Sequence, residues 1–230
     1  MSDWVITCKT VEKELLTAIE RTGCQHPVRW VESGLHNWPD KLNARLQAEL
    51  DACDGCENVL LAMGFCGNSV LGLHTHDFKL VIPRCDDCIT LLLGSDEARK
   101  QQFATYFLTE GWLKGEKTIW QEYQVCLKKY GEKRGRRIFS VMLRHYEKMA
   151  YLDTGCTDDP GIAEQIQMIA KALELSYVHL DGSLDYLSDL LSGRWDPGRF
   201  LVVPPHSTIS QDMLIWKGKK HEGKSYCPAE

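Results

Sequence analysis

The sequence predicts an α/β protein with two Rossmann-like lobes, each built on a parallel sheet of βα repeats. Short apolar runs alternate with segments whose apolar residues recur at helical spacing. The runs are continuously apolar, which is typical of strands buried on both faces of a parallel sheet. The alternation stops in the middle of the chain and then resumes, so we expect two lobes with a helical insertion between them.

The first lobe is expected to cover residues 1–95. Its predicted strands lie at residues 4–7, 28–32, 58–63 and 79–82. Its predicted helices lie at residues 11–21, 39–52 and 88–94. Gly23 follows the first helix, where a glycine commonly ends a helix because it tolerates the left-handed conformation.

The remaining chain divides into an insertion, a second lobe and a tail. Residues 96–148 are rich in aromatic side chains and poor in strand signals, which predicts a helical insertion or linker. The second lobe is expected at residues 149–216. Its predicted strands lie at 149–152, 177–180 and 200–203, and its predicted helices lie at 160–173 and 184–191. Residues 217–230 are expected to form a polar tail.

Composition narrows the function classes. The net charge of −5 argues against a protein that follows the phosphates of a nucleic acid. The start of the chain lacks the pattern of a signal peptide and no apolar run is long enough to span a membrane, so we expect a cytoplasmic protein. Ten cysteines in a reducing compartment indicate metal ligands, catalysis or ordinary burial.

Cysteines are concentrated where predicted strands end. Ligands of open α/β sheets bind beyond the carboxyl ends of the strands, so these positions are the candidates for a site. The residues found there are Cys8, His36, Cys66, Cys85, Cys88, Cys156, Asp181 and His206. Three thiolates from separate strand ends, Cys8, Cys66 and Cys88, could hold zinc or an iron–sulfur cluster with one coordination position open. The helix that follows Cys88 is expected to lower the pKa of that thiol.

Several neighbours of these cysteines are candidates for other roles. Arg84 could bind a carboxylate or phosphate, and His36 is a second catalytic candidate, although both residue types are also common on surfaces. The glycine-flanked turn with Gly67 and Asn68 would let the backbone approach a cofactor closely. Asp153 could orient a ligand or cap a helix. The pair Cys53 and Cys56 has metal spacing but precedes a strand, which favours a structural role at the opposite edge.

Several stretches resemble the family catalogued as domain of unknown function 1638. The most specific is Asp-Cys-Ile-Thr-Leu-Leu-Leu-Gly-Ser at residues 87–95, supported by Leu-His-Asn at 35–37, Gly-Phe-Cys-Gly-Asn at 64–68 and Asp-Thr-Gly at 153–155. The family occurs in archaea and anaerobic bacteria, often encoded beside corrinoid-dependent methyltransferases, so the resemblance implies a setting in one-carbon metabolism. Relatives usually carry His before the Asp-Cys pair. Asp86 stands there in this chain, which makes Asp86 a candidate for that role, and Cys85 and Cys156 rank second because they are not general family features.

Three functional hypotheses follow. The first is a cysteine-ligated zinc or iron–sulfur protein of corrinoid-linked methyl metabolism, either a methyltransferase-type enzyme or a redox accessory. Its partners would be a small-molecule methyl donor or acceptor, a corrinoid, or a corrinoid protein or methyltransferase. The alternative is a non-catalytic carrier of a corrinoid, a methylated amine or a metal. The third, a metal-free thiol nucleophile, lacks a histidine base in either cysteine motif.

Overall fold

A computed structural model describes residues 3–115 and 117–215 of the chain. The contacts divide these residues into two units. Unit 1 combines the chain up to Leu91 with the segment from Asp185 onward, and unit 2 runs from Leu92 to Leu184. The predicted polar tail and Cys227 lie outside the described residues. No helix in the described part of the chain is both long and apolar enough to cross a membrane.

Unit 1 is built on a five-stranded sheet. Its strands are β1 (Trp4–Cys8), β2 (Val28–Val31), β3 (Asn58–Leu61), β4 (Lys79–Pro83) and β8 (Phe200–Val203), in the order β2-β1-β3-β4-β8. The first four strands are parallel. Val5 and Ile6 of β1 are fully buried, so both faces of this strand are covered. This explains why the strand is continuously apolar.

Helices cover the sheet of unit 1. The two long helices are α1 (Glu12–Thr22) and α2 (Pro39–Asp51). The shorter helices are α3 (Cys88–Leu93), α9 (Asp185–Leu191) and α10 (Gln211–Leu214). Gly23 ends α1 in the left-handed conformation, as predicted. Leu42, Leu46 and Leu50 of α2 are buried in the same apolar cluster as Ile6 and Ile82.

The strand β8 is the main departure from the predicted organisation of unit 1. The sequence pattern predicts this strand within the second lobe, but it pairs antiparallel with β4, with Leu80 opposite Val203. Arg84 secures the pairing, because its backbone N–H donates to the Arg199 carbonyl and its guanidinium to the carbonyls of Pro197 and Phe200. These long-range bonds leave no periodic signal in the sequence.

Unit 2 contains a three-stranded parallel sheet in the order β5-β6-β7. Its strands are β5 (Thr105–Leu108), β6 (Lys148–Asp153) and β7 (Ser176–Asp181). Its helices are α4 (Asp96–Gln101), α5 (Glu110–Leu113), α6 (Ile119–Tyr130), α7 (Glu132–Met142) and α8 (Ile162–Ala172). The two-lobed α/β fold class that the sequence predicts is therefore present.

The segment 96–148 is not a separate helical insertion in the structure. It contains β5, and its helices contribute Tyr123 and Phe139 to the same apolar cluster as Met149 of β6 and Ile166 of α8. The aromatic residues therefore complete the core of unit 2. The strand was missed because a four-residue apolar run cannot be told from a buried helical turn by periodicity.

Candidate metal centre

Three cysteines that are distant in the sequence line one small cavity of unit 1. The cavity has a volume of about 20 Å³, and its polar lining is Cys8, Thr10, Glu32, His36, Cys66 and Cys88. Val11, Leu35, Leu42 and Met63 complete the wall. All three cysteines are partly buried. The structure thus brings together the three thiols that the sequence analysis grouped as metal ligands.

Cys8 reaches the cavity because it is the last residue of β1. Its backbone pairs with Val31 at the end of β2, which fixes the direction of the strand end. The Cys8 sulfur lies 3.1 Å from the Thr10 hydroxyl and 3.8 Å from the Glu32 carbonyl oxygen. Thr10 is itself buried, so its hydroxyl is held beside the sulfur. A hydroxyl in this position orients a thiol and stabilises a thiolate.

Cys66 is brought to the cavity by close packing of two loops. The N–H groups of Phe65 and Cys66 donate to the carbonyls of Cys85 and Asp86, at 2.9 and 2.8 Å. Gly64 makes this approach possible, since a Cβ at this position would lie 2.8 Å from the backbone of Asp87. The turn after β3 is therefore laid directly against the loop that leads to Cys88.

The turn at Cys66 has a strained backbone. Cys66, Gly67 and Asn68 have consecutive positive φ values of 44°, 68° and 66°. Glycine and asparagine tolerate this conformation, whereas for other residues it costs on the order of 1–3 kcal/mol and is concentrated at functional sites. Gly67 and Asn68 are exposed, so in this structure they shape the turn that presents Cys66. Their predicted contact with a cofactor stays a prediction.

Cys88 is the first residue of α3, and Asp87 caps that helix. The Asp87 carboxylate accepts the Thr90 N–H at 2.7 Å and the Thr90 hydroxyl at 2.8 Å. Thr90 is 1% exposed, so the cap is enclosed by the core. The Asp-Cys-x-Thr pattern therefore caps α3 and fixes the position of Cys88 on the loop that follows β4.

The electrostatics of the cavity differ from the sequence-based expectation. Helix α3 was expected to lower the pKa of Cys88, but the pKa of this thiol is raised by its hydrogen bond with Cys66, by burial and by the nearby Cys8. Burial likewise raises the pKa of Cys8. A helix of six residues contributes less than three thiols that share one buried space, because their negative charges would repel.

His36 and Glu32 are the ionisable groups of the cavity besides the thiols. His36 is exposed by its accessible surface, but the protein atoms around its ring displace enough water to lower the pKa of the imidazole, which is neutral near pH 7. Glu32 is exposed, and its carboxylate forms an ion pair with Arg45 at 3.1 Å. This carboxylate is therefore not free to act as a base. His36 is therefore the residue beside the thiols that is able to accept a proton.

Arg84, Cys85 and Asp86 lie on the loop between β4 and Cys88 but outside the described lining of the cavity. The Arg84 guanidinium donates to three backbone carbonyls, the third being that of Met213 at 3.0 Å. Cys85 is fully buried, and Asp86 contributes the carbonyl that receives the Cys66 N–H. In this structure the three residues support the loops around the cavity.

Cys156 and Asp153 belong to unit 2. The Cys156 sulfur donates to the Thr154 carbonyl at 3.3 Å, and the Asp153 carboxylate accepts the Gly155 N–H and lies 3.4 Å from His179. Both are therefore engaged in the turn after β6. Their predicted roles in a ligand site stay predictions.

The pair Cys53 and Cys56 lies at the amino end of β3, away from the strand ends that form the cavity. Both residues are buried, and the Cys53 thiol donates to the Glu49 carbonyl at 3.2 Å. Burial raises the pKa of Cys53 to about 11. A protonated thiol bonded to the last turn of α2 fits the structural role that the sequence pattern favours.

Two polar residues of the cavity, Thr10 and Glu32, were not predicted as site residues from the sequence. Thr10 follows Cys8 by two positions, so a Cys-x-Thr pattern after a strand was an available signal. Glu32 ends a predicted strand, yet its contribution is a carbonyl oxygen, which no side-chain pattern reveals.

A model of one protein family matches residues 30–191, and its description is Protein of unknown function (DUF1638). The chain belongs to this family. The part of the chain that the DUF1638 model matches includes His36, Cys66 and Cys88 and begins after Cys8. No curated protein and no solved structure matches the chain.

Proposed function

We propose that unit 1 contains a mononuclear zinc centre whose ligands are Cys8, Cys66 and Cys88. This centre would activate a small thiol, which is the methyl acceptor in a corrinoid-linked methyl transfer. The observation that carries the proposal is the shared cavity of these three thiols, which come from separate strand ends. Three thiolates with a fourth position left for substrate are a ligand set that zinc accepts.

The size of the cavity favours a single ion over a cluster. A volume of about 20 Å³ exceeds the roughly 10–15 Å³ that one water molecule needs. An iron–sulfur cluster contains several irons with bridging sulfides and needs several times this space. The cavity therefore has room for one ion, and the three sulfurs would draw closer together to bind it, because they do not all lie within 4.8 Å of one another in the structure. An iron–sulfur cluster would instead require the three loops to separate.

The charge of the site also favours a cation. The pKa of Cys88 is raised by its contact with Cys66, by burial and by the proximity of Cys8, so three thiolates are unstable together without a compensating positive charge. A divalent cation supplies that charge and exchanges for the thiol protons.

The turn keeps its strained backbone at Cys66 because two backbone hydrogen bonds hold it against the next loop, and because Gly64 lets the two backbones approach closely.

The role of His36 follows from its protonation state and position. Zinc, when bound, would act as a Lewis acid toward an incoming thiol. The neutral imidazole of His36 lines the same cavity and can accept the proton that this thiol loses. A methylated corrinoid would supply the methyl group: the thiolate sulfur would form the bond to the methyl carbon as the cobalt–carbon bond breaks, with the electron pair left on cobalt.

The first test is the metal content of the anaerobically purified full chain. We expect about one zinc per chain without labile sulfide, and loss of that zinc in Cys66→Ser and Cys88→Ser. Cys24→Ser is the matched control, because Cys24 is a partly buried cysteine of unit 1 outside the cavity. Iron with an equivalent amount of sulfide would select the cluster, and a metal-free folded chain would overturn the proposal.

The second test separates catalysis from carriage. The zinc-loaded chain is mixed with methylcobalamin and a series of small thiols, and the thioether product and the cobalt oxidation state are followed. We expect thioether formation that depends on Cys66 and slows in His36→Gln, with zinc retained in that variant. Zinc binding without turnover, together with corrinoid binding, would instead favour the non-catalytic carrier.

A further inference from the structure

A second group of metal-ligating side chains lies in unit 1, apart from the cysteine cavity. It consists of Asp51, His74 and His76, whose ligand atoms all lie within 4.8 Å of one another. Asp51 is the last residue of α2, and the two histidines lie on the extended segment that precedes β4. We name this group the histidine cluster.

The backbone of the histidine cluster is held rigidly. His74 forms an antiparallel bridge with Thr208, and the N–H of Thr75 donates to the Ser207 carbonyl at 2.9 Å. The Thr75 side chain is buried and donates to the Pro204 carbonyl at 2.7 Å. Because side chains alternate along an extended segment, burial of Thr75 directs both flanking histidines to the opposite, solvent-facing side.

The side chains are also pre-positioned toward one point. The His76 Nε2 lies 2.8 Å and the His74 Nε2 3.8 Å from the same Asp51 oxygen, Oδ1. Ligands about 2.1 Å from one cation lie about 3.0–3.4 Å from each other, so small side-chain movements bring all three onto an ion. The two imidazole rings stand edge to face, with their centroids 5.1 Å apart.

Gln47 forms hydrogen bonds with both Asp51 and His74 of the histidine cluster. Its side-chain N–H donates to the Asp51 Oδ1 at 2.8 Å and to the His74 carbonyl at 3.2 Å, while its oxygen accepts the His74 N–H at 2.9 Å. Outer groups that orient the ligands in this way are a general feature of metal sites.

We propose that Asp51, His74 and His76 form a second metal site, for a first-row transition cation such as Zn²⁺. Two imidazoles and one carboxylate are the ligands that such cations accept, and solvent fills the remaining positions because Asp51 and His74 are exposed. The site uses no cysteine, so it is independent of the zinc centre proposed above.

The test is a titration of the full chain with Co²⁺ after loading with one equivalent of zinc, which three thiolates bind in preference to two imidazoles and a carboxylate. We expect one further cobalt per chain whose spectrum lacks sulfur-to-cobalt charge transfer. The affinity should fall by about tenfold or more in His76→Asn and in Gln47→Ala. His26→Gln is the matched control, since His26 is another histidine of unit 1 beside a carboxylate, 4.0 Å from Asp3.

Each outcome decides the proposal. Cobalt binding that is weakened in His76→Asn and Gln47→Ala but unchanged in His26→Gln supports the site. Failure to bind a further cobalt, a spectrum with sulfur charge transfer, or equal affinity in all variants overturns it. Because Gln47→Ala leaves both histidines in place, its effect is read independently of any damage to the fold by His76→Asn.

Discussion

The Cys88 thiol is surrounded by groups that disfavour its negative charge. Its hydrogen bond with Cys66 and its burial both raise the pKa of this thiol, and Cys8 adds to the effect. A side chain in this setting is inert as a nucleophile at neutral pH. The same setting suits a ligand that ionises only when a cation arrives.

The raised thiol pKa values predict how zinc binding depends on pH. A thiol whose pKa is raised is protonated at neutral pH, so zinc must displace its proton. We expect the zinc affinity to rise with pH, by about a factor of ten per pH unit for each proton released. Chelator competition across the neutral range measures this slope, and Cys24→Ser should share it. An affinity independent of pH would contradict the protonated thiols.

Thr10 tests whether orientation of Cys8 matters for the metal. Thr10→Val retains the shape of the side chain and removes the hydroxyl that lies 3.1 Å from the Cys8 sulfur. We expect a loss of zinc affinity of roughly tenfold with the fold intact. Thr22→Val is the control, because the Thr22 hydroxyl donates to the Ala18 carbonyl within its own helix. Equal affinities in the two variants would remove Thr10 from the centre.

Between elements, the decisive contact joins the turn after β3 to the loop after β4. Gly64→Ala would insert a Cβ 2.8 Å from the Asp87 backbone and separate the two segments. We expect the free energy of unfolding to fall by about 1–3 kcal/mol and the zinc content to fall with it. Urea denaturation and metal analysis measure both.

The control for that exchange is Gly161→Ala. There the nearest atom to a new Cβ is a side-chain oxygen of Asp159 at 3.4 Å, and φ is negative. This variant should unfold like the unaltered chain and bind zinc equally well. Normal zinc content in Gly64→Ala would show that the loop contact does not set the geometry of Cys66.

The backbone pairing of β8 with β4 is supported at one end by the side chain of Arg84. Arg84→Met removes donors from the carbonyls of Pro197, Phe200 and Met213. We expect the free energy of unfolding to fall by about 2–3 kcal/mol, faster amide exchange in β8 and unchanged zinc content. Arg136→Met, which breaks an exposed pair with Glu132, should have little effect. Zinc loss in Arg84→Met alone would return Arg84 to the candidate site.

The sequence predicted elements well where local patterns determine them. The strands β1, β3 and β4 are mostly apolar, and the helices α1 and α2 carry apolar residues on one face, so the order of these elements was readable from the sequence. The pairing of β8 with β4 and the strand β5 were not, because both depend on long-range hydrogen bonds or on very few residues. Local propensity does not determine which distant strands pair.

For the molecule as a whole, one topological rule led to the cysteine cavity but did not select its residues. Strand ends of a parallel sheet meet at one edge, so Cys8, Cys66 and Cys88 could be grouped from the sequence, but the same rule also gave Cys85 and Cys156, which are not part of the cavity lining. The histidine cluster escaped the same reasoning. His74 and His76 precede a strand, and Asp51 ends a helix. The histidines reach Asp51 only because residues 72–76 pair with the segment after β8.

Whether three sulfurs share one metal ion is measured most directly by X-ray absorption at the zinc edge of the chain carrying one equivalent of metal. We expect about three sulfur neighbours at about 2.3 Å and one lighter neighbour, with sulfur scattering reduced in Cys66→Ser. A shell of nitrogen and oxygen alone in that chain would contradict it.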